Sequence, residues 1–240
     1  MKQRKIVFVN RYFHPDISAK SQMLSDLAFY LAGEGLRVHV VTSRQRYDDS
    51  NAGLLKTEVV GDVLVSRVWS SRFGRDRLTG RVLDYLTFYF SAMWHLLKLV
   101  RPGDIIVAKT DPPLISVVAM VVARMRRAHL VNWLHDLFPE IATALHVRGL
   151  NGGVARMLEW LRNLSLTTAV ANVAIGEKMA KRLKARLPPG NTPAGLPILV
   201  SLPHFYRNVR GVSHANFPAR SFTGPCITLN IISRTLLRRS

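Results

Sequence analysis

The stretch VNWLHDLFPE, at positions 131–140, places a histidine and an aspartate directly after an apolar run. An unperturbed imidazole pKa of about 6.5 suits His135 to proton transfer and to hydrogen bonding with hydroxyl groups. Asp136 can orient that ring or cap a following helix. A histidine that ends a core strand can equally be a structural residue, so both interpretations of His135 stay open.

Other polar side chains that can bind a ligand also follow apolar runs. A lysine can receive an anion, and a serine at the start of a helix can cap it or help to hold a phosphate. The same residue types are common in solvated loops, so each one alone is a weak signal. The candidate substrate-binding residues are His14, Asp16, Ser18, Lys109, Asp111 and Glu177.

Strands and helices alternate along the chain. Short β-branched runs, such as KIVFV at 5–9 and HLVNWL at 129–134, predict buried strands. Apolar positions at helical spacing between 21 and 35, ending in GEG, predict a helix with a glycine C-cap. Strands that are apolar on both faces indicate a parallel sheet that is covered on both sides. We therefore predict an α/β protein with a doubly wound parallel sheet of the Rossmann-like class.

The predicted elements place the candidate residues at one edge of this sheet. Predicted strands lie at 5–9, 37–42, 63–69, 104–108, 129–134 and 169–175, with 56–60 as a candidate hairpin partner of the third. Predicted helices lie at 21–35, 79–101, 114–127, 153–167 and 177–186. If the strands are parallel, the polar residues that follow them meet at the carboxyl edge, where doubly wound sheets bind ligands.

Composition excludes several classes of protein. The single cysteine, Cys226, excludes an internal disulfide framework and a cysteine-based metal site. The loop after the first strand, RYFHPDISAKSQ, has no glycine, whereas a dinucleotide-binding domain has G-x-G-x-x-G there. The start, MKQRKIVFVN, has too short an apolar run for a secretory signal. We expect no bound cofactor, no metal and a cytoplasmic location.

Charge is distributed unevenly along the chain. The formal net charge is +19, yet residues 178–240 contain no acidic residue and seven of the 12 prolines. Such a charge suggests nucleic acid, anionic lipid or a phosphorylated partner. Nucleic acid is the weakest of these, because the charge lies mostly in this segment and no nucleic-acid-binding motif accompanies it. We predict one domain over 1–185 and an atypical basic, proline-rich tail over 186–240.

Four stretches of the sequence resemble a known family. They are NRYFHPDISAKSQMLSDLAFYLAGEGLRVHVVTSR, DIIVAKTDPPL, WLHDLFPEIA and NVAIGEKMAKRL. In this order and spacing they resemble the N-terminal half of GT-B glycosyltransferases of family 4, and more narrowly the exopolysaccharide enzymes of the colanic-acid type. The resemblance implies transfer of a sugar, with retention, from a nucleotide sugar to a saccharide or lipid-linked acceptor. It places His135 at the sugar-transfer cleft and loop 13–18 near the donor phosphates or the acceptor.

The same resemblance implies a second Rossmann-like domain that binds the nucleotide sugar. Residues after 185 do not resemble such a domain, so we expect either a broken reading frame near residue 185 or a genuine basic extension. An acceptor-binding half alone would be truncated and inactive. The alternative is a non-catalytic partner subunit of a separately encoded donor-binding chain.

Residues 82–100, VLDYLTFYFSAMWHLLKLV, form a long apolar and aromatic segment. On a helix its polar residues fall on one narrow stripe, made of Asp84, Thr87, Ser91, His95 and Lys98. The segment is either a helix of the outer layer whose apolar side is core, or an interfacial helix that also contacts lipid. Arginines before it and basic residues at its end fit an anionic surface. The second alternative predicts a peripheral location at the inner face of the plasma membrane.

Overall fold

The computed structural model describes residues 4–74, 78–140, 152–186 and 198–200 of the 240-residue chain. The chain forms two compact units, Met1–Val170 and Ala171–Ser240, and each is described by itself.

The described secondary structure follows the predicted order. The strands of the first unit are β1 (Lys5–Val9), β2 (Arg37–Ser43), β3 (Thr57–Val60), β4 (Val63–Val68), β5 (Ile105–Lys109) and β6 (His129–Leu134). Its helices are α1 (Ala19–Gly33), α2 (Leu78–Leu99), α3 (Ile115–Arg126) and α4 (Gly152–Thr168). The second unit contains β7 (Ala171–Ala174), α5 (Glu177–Arg186) and β8 (Ile198–Val200).

The strand order of the first unit is β3-β4-β2-β1-β5-β6. β1 pairs in parallel with β2 and β5, β2 pairs in parallel with β4, and β5 pairs in parallel with β6. β3 is antiparallel to β4, as the candidate hairpin predicts. The chain runs outward from β1 on one side and then returns to the other side for β5 and β6. The predicted doubly wound α/β fold is confirmed, and its topological switch point lies between the carboxyl ends of β1 and β5.

Both faces of the central strands of this sheet are buried. Val7 and Val9 belong to the core cluster that α2 and α3 build on one face, and Phe8 between them is buried on the opposite face. Because both faces are covered, the strands need apolar residues at nearly every position. α2 contributes Phe88, Ala92 and Leu96 to this core at helical spacing, and Val100 directly after the helix joins the same core.

A glycine ends α1, as the GEG pattern predicts. Gly35 has a φ of 79°, in the left-handed region that favours glycine. The backbone N–H of Leu36 donates to the carbonyl of Leu31 (3.1 Å), and that of Gly35 donates to the carbonyl of Ala32 (2.9 Å). These two bonds form a Schellman motif, which satisfies carbonyls that the helix leaves open and directs the chain into β2.

The polar stripe of α2 begins inside the protein. Asp84 is buried, and its carboxylate accepts hydrogen bonds from the Ser71 hydroxyl (2.6 Å) and the Phe73 N–H (3.0 Å). The outer face of α2 is instead apolar and carries the exposed side chains of Val82, Leu83, Leu86, Phe90 and Trp94. Within the described residues, no helix is long and apolar enough to cross a membrane.

In the second unit, β7 and β8 pair in parallel, and α5 packs against both. β8 lies inside the segment that the sequence assigns to the basic tail. The remaining tail residues, 187–197 and 201–240, lie outside the described residues, so the proposed domain boundary at 185 stays a prediction.

Candidate functional site

The loops that follow β1 and β5 meet at the switch point of the sheet. The backbone N–H of Arg11 donates to the carbonyl of Asp111 (2.7 Å) and joins the two loops directly. Asp111 itself is half-buried beside this junction. Open α/β sheets bind ligands in the crevice at such a point. The carboxyl ends of β1, β5 and β6 are therefore the place to look for a site.

His135 lies immediately after the last residue of β6. Its backbone N–H donates to the Thr110 hydroxyl (3.1 Å), which ties the end of β6 to the loop after β5. The residue is only 7% exposed, and within the described part of the chain its ring Nε2 has no hydrogen-bond partner. Burial, and after it the positive charges of Lys109 and Lys20, lowers the pKa of His135 to about 3.

This low pKa defines what the ring can do. A neutral imidazole can donate a hydrogen bond to a hydroxyl oxygen or accept one from a hydroxyl group, depending on its tautomer. The same low pKa makes His135 a weak base at neutral pH, so the setting suits hydrogen bonding better than proton abstraction.

Lys109 is the last residue of β5 and is fully buried, with 0% exposure. Its ammonium donates to the backbone carbonyl of Lys20 in the first turn of α1 and lies 4.4 Å from the ring centroid of Trp133. Burial, and after it the charge of Lys20, lowers the pKa of Lys109 to about 7. The sequence placed this lysine in a loop because the predicted strand ended one residue earlier. Its predicted contact with an anionic substrate stays a prediction.

Asp136 links the end of β6 to α1. Its carboxylate pairs with the Lys20 ammonium at 2.5 Å, and both side chains are partly exposed. A partly exposed ion pair of this kind adds only about 0–1 kcal/mol of stability. The pair therefore matters more for the position of Asp136 next to the His135 backbone than for the stability of the fold.

The loop after β1 is held by Asp16. Its buried carboxylate accepts hydrogen bonds from the Ser18 N–H (2.8 Å), the Ser18 hydroxyl and the Tyr47 N–H. Ser18 immediately precedes α1, as predicted, but its hydroxyl bonds to Asp16 and makes no cap bond to the helix. His14 is exposed, and its carbonyl accepts a hydrogen bond from Arg67 (2.7 Å). Substrate contacts of His14, Asp16 and Ser18 stay predictions.

A buried polar network that the sequence did not indicate holds three loops together. Arg11 donates to the Gln45 side-chain oxygen (3.2 Å), and the Gln45 amide donates to the Ser71 carbonyl (2.8 Å). Arg11 also lies 3.7 Å from the Asp84 carboxylate. The loops after β1, β2 and β4 are therefore fixed to each other. These residues are far apart in sequence and form no local motif, so no spacing rule finds them.

The structure thus brings Lys109, His135 and Asp136 together around Lys20, with Asp16 and Ser18 on the loop that leads into α1. Glu177 is the first residue of α5 in the second unit, where it is exposed. Among the described residues, no group of three His, Cys, Asp or Glu side chains is arranged to hold a metal ion. The expectation of a reaction without a metal or cofactor stays a prediction.

Solved structures share this fold at low sequence identity. The chain is similar to sucrose-phosphate synthase from Thermosynechococcus elongatus, with a TM-score of 0.59, 10% identity, 83% coverage of this chain and 48% of that one. It is similar to alpha,alpha-trehalose 6-phosphate synthase from Burkholderia multivorans (TM-score 0.53, 11% identity, 83% and 48% coverage). The N-terminal domain of Candida albicans trehalose-6-phosphate phosphatase is also similar (TM-score 0.51, 15% identity, 82% and 47% coverage).

At these identities the similarity shows the fold alone, which is the Rossmann-like fold of a GT-B glycosyltransferase domain. The chain spans about half the length of each of these three structures. No curated protein sequence matches the chain.

A sequence family also matches, over most of the chain. The sequence profile of the Glycosyl transferase 4-like domain matches residues 21–194 of the 240. This range includes most of α1 and all of β5 and β6, and with them Lys109, His135 and Asp136. The chain therefore belongs to the Glycosyl transferase 4-like domain family.

Proposed function

We propose that this chain is the acceptor-binding half of a glycosyltransferase. In this proposal a sugar passes from a nucleotide sugar to a saccharide or lipid-linked acceptor in exopolysaccharide synthesis of the colanic-acid type. Family membership supports sugar transfer as the reaction class. The observation that carries the assignment of the site is His135, a buried neutral ring at the carboxyl edge whose Nε2 has no partner among the described residues.

A sugar hydroxyl suits this nitrogen chemically. Such a hydroxyl both donates and accepts hydrogen bonds, so it can satisfy Nε2 in either tautomer. A buried nitrogen without a partner costs about 1–3 kcal/mol, and a bound hydroxyl would remove that cost. Sugar transfer also requires the acceptor oxygen to be held still while it bonds to the anomeric carbon and the bond to the diphosphate breaks. In the proposal, His135 helps to hold it.

The experiment compares two histidines at opposite ends of the same strand. Saturation-transfer NMR would measure binding of short saccharides to the full chain, to His135→Ala and to His129→Ala. We expect His135→Ala to weaken saccharide binding by about tenfold, the effect of one lost hydrogen bond of about 1.4 kcal/mol. His129 begins β6 at the amino edge, so His129→Ala should bind as the unaltered chain does. Equal binding by all three proteins would refute the assigned site.

Donor binding is assigned in this proposal to a second domain, on this polypeptide or on another. The chain spans about half of each similar structure, which fits a second domain in either place, and a partner subunit is the second candidate. Affinity purification of the full chain from its native cells would separate the two cases. Recovery of a distinct nucleotide-sugar-binding chain, with transfer activity only in the complex, supports the partner subunit, and transfer by the purified chain alone excludes it.

The outer face of α2 supports docking on an anionic membrane as part of this proposal. Phe90 and Trp94 are 67% and 63% exposed on this face. Lys98 lies over the Trp94 ring, 4.7 Å from its centroid, and Arg101 follows the helix. The only acidic residue in α2 and α3 is Asp84, which is buried. An exposed apolar stripe with basic residues at its end, on a helix whose one acidic residue is buried, fits an interfacial helix on anionic lipid.

Vesicle flotation of the full chain tests this docking. We expect binding that requires anionic phosphatidylglycerol, falls with salt, and is lost in the double variant Phe90→Glu/Trp94→Glu. Val59→Glu is the matched control, because Val59 is an equally exposed apolar residue on β3. Flotation that persists in the double variant would contradict docking through α2. A vesicle-bound chain that resists carbonate extraction would indicate spanning rather than docking.

A further inference from the structure

We propose that Lys109 is a positioning residue, whose buried amine joins the first turn of α1 to the indole of Trp133 and thereby fixes the ring of His135. Only the role of His135 in saccharide binding rests on the proposed function. The positioning of its ring by Lys109 does not. Lys109 itself does not face solvent, so it is not assigned a direct contact with substrate.

The contacts form a continuous path from α1 to His135. Lys109 and Trp133 are neighbours in the register of β5 and β6, so their side chains lie side by side on one face of the sheet. The amine donates to the Lys20 carbonyl at one end of the path. At the other end, the ring of Trp133 lies 5.2 Å from the ring of His135, centroid to centroid. Any movement of the amine therefore changes the surroundings of both rings.

The charge on this amine is weakly compensated. The titratable or charged groups around it are Lys20 and Asp26 from α1, Asp111 from the loop after β5, and His135 and Asp136 after β6. No carboxylate among the described residues forms an ion pair with Lys109, so Asp111 and Asp26 favour its charge only from a distance. The amine also lies over the face of Trp133, which favours the charged form. Burial, followed by the charge of Lys20, lowers the pKa of Lys109 to about 7. The amine therefore changes charge near neutral pH.

This change provides a test that a space-filling residue would not pass. His135 has a pKa of about 3 and an indole does not titrate, so neither ring changes its own protonation near pH 7. If Lys109 positions them, both rings must still report its titration. The methionine side chain is one atom shorter than that of lysine and fills most of the same space, but it can neither donate the hydrogen bond nor carry the charge.

The experiment is a pH titration of the isotopically labelled full chain by NMR. The Trp133 indole N–H and the His135 ring resonances are assigned with Trp133→Phe and His135→Asn. We expect both to shift with a common midpoint near pH 7 in the unaltered chain, and to lose that midpoint in Lys109→Met. In Lys109→Met the pKa of His135 should rise, and its ring resonances should broaden or double. Lys20→Met is the matched control, which should keep the midpoint but move it to higher pH.

Two results would overturn the inference. One is an unaltered chain in which neither ring responds between pH 5.5 and 8.5, around the pKa of about 7 of Lys109. The other is an unchanged midpoint in Lys109→Met. If Lys109→Met does not fold, the titrations of the unaltered chain and of Lys20→Met decide alone. Equal saccharide binding by the unaltered chain, His135→Ala and His129→Ala, together with an intact titration, would refute the proposed function and leave this inference standing.

Discussion

His39 and His135 are both buried histidines with a lowered pKa, but they lie in different settings. His39 lies within β2 beneath α2, and its Nε2 is 2.9 Å from the Ser66 hydroxyl. Burial, followed by the charge of Lys5 and the proximity of His95, lowers its pKa to about 4. His135 lies at the carboxyl edge, has a pKa of about 3, and its Nε2 has no partner among the described residues.

The difference teaches that burial and a lowered pKa do not by themselves mark a site. His39 has both properties and is a satisfied core residue. His135 differs from His39 in having a buried nitrogen without a partner among the described residues. The Nε2 of His95 on α2 is also unpaired there, so what distinguishes His135 is its position at the edge where parallel sheets bind ligands. Folded proteins rarely leave such atoms unpaired, and the exceptions call for an explanation such as a ligand. Four predictions test this contrast between the core and the edge.

The largest effect is expected from acid. Unfolded histidine binds a proton below about pH 6.5, whereas folded His39 and His135 stay neutral to about pH 4 and pH 3. The unfolded state therefore binds more protons as pH falls, and stability is lost from about pH 6.5 downward. At pH 4, each histidine should account for a loss on the order of 3 kcal/mol relative to pH 7.

Urea denaturation at both pH values measures this loss. His39→Gln and His135→Gln should each lose less stability on acidification than the unaltered chain, by about the same 3 kcal/mol. Carboxylates titrate in all three proteins, so the difference isolates each histidine. If both variants lose as much stability on acidification as the unaltered chain, then neither histidine has a lowered pKa in the folded state. The comparison between His39 and His135 would then be refuted.

The next effect concerns the lysine beside His135. Folded Lys109 has a pKa of about 7, below the unfolded value of 10.5, so the stability of the unaltered chain rises with pH between these values. At pH 7 we expect Lys109→Met to raise the free energy of unfolding by roughly 2–3 kcal/mol, after allowance for the lost hydrogen bond and cation–π contact. The gain should shrink as pH approaches 10.5. Denaturant unfolding at pH 7 and pH 10 measures this. A Lys109→Met variant that is less stable than the unaltered chain at pH 7 would show that Lys109 stabilises the fold.

A smaller effect is expected when the partner of the core histidine is removed. Ser66→Ala leaves the Nε2 of His39 unpaired, so we expect a loss of about 1–2 kcal/mol at pH 7. His135→Leu removes no hydrogen bond at Nε2, so its stability should stay within about 1 kcal/mol of the unaltered chain. The two variants are compared in urea at pH 7. A larger loss in His135→Leu would show that the edge residue is structural.

The smallest effect is expected at the amino edge. His129 is half-buried, and its pKa is lowered by burial and then by Arg4. His129→Gln should change the free energy of unfolding by no more than about 0.5 kcal/mol, as substitutions away from the core usually do. Thermal melts measure this. If His129→Gln loses as much stability as Ser66→Ala, then a position at the amino edge does not make a histidine less important for stability than a position in the core.

Much of the fold could be predicted because its signal is repeated. Each strand is an apolar run, each helix has its own spacing, and the structure confirms their order with ends that shift by one or a few residues. Lys109 shows the limit of this signal. A strand buried on both faces has no alternation of polar and apolar residues, so nothing in its pattern marks the last residue. The sequence pattern therefore predicts a loop position for this lysine.

The partners within the site could not be predicted for a different reason. Lys20 and Asp136 are far apart in sequence, so no local spacing predicts that their side chains form an ion pair. Asp84 shows the same limit on α2, where the spacing predicted a polar stripe but could not show which way the stripe faces. Only the packed fold reveals that this carboxylate binds the Ser71 hydroxyl and the loop that follows.

The bonds between the loops of the carboxyl edge have a thermodynamic consequence. Asp16 holds the backbone of Tyr47, and Gln45 holds the carbonyl of Ser71, so these loops lose their conformational freedom when the chain folds. A ligand that arrives later has little left to order, and its binding entropy should be less unfavourable than that of a ligand that closes a flexible lid. Selectivity at these loops then depends on how closely a molecule matches the surface that they fix, and a poor match there is not corrected by their movement.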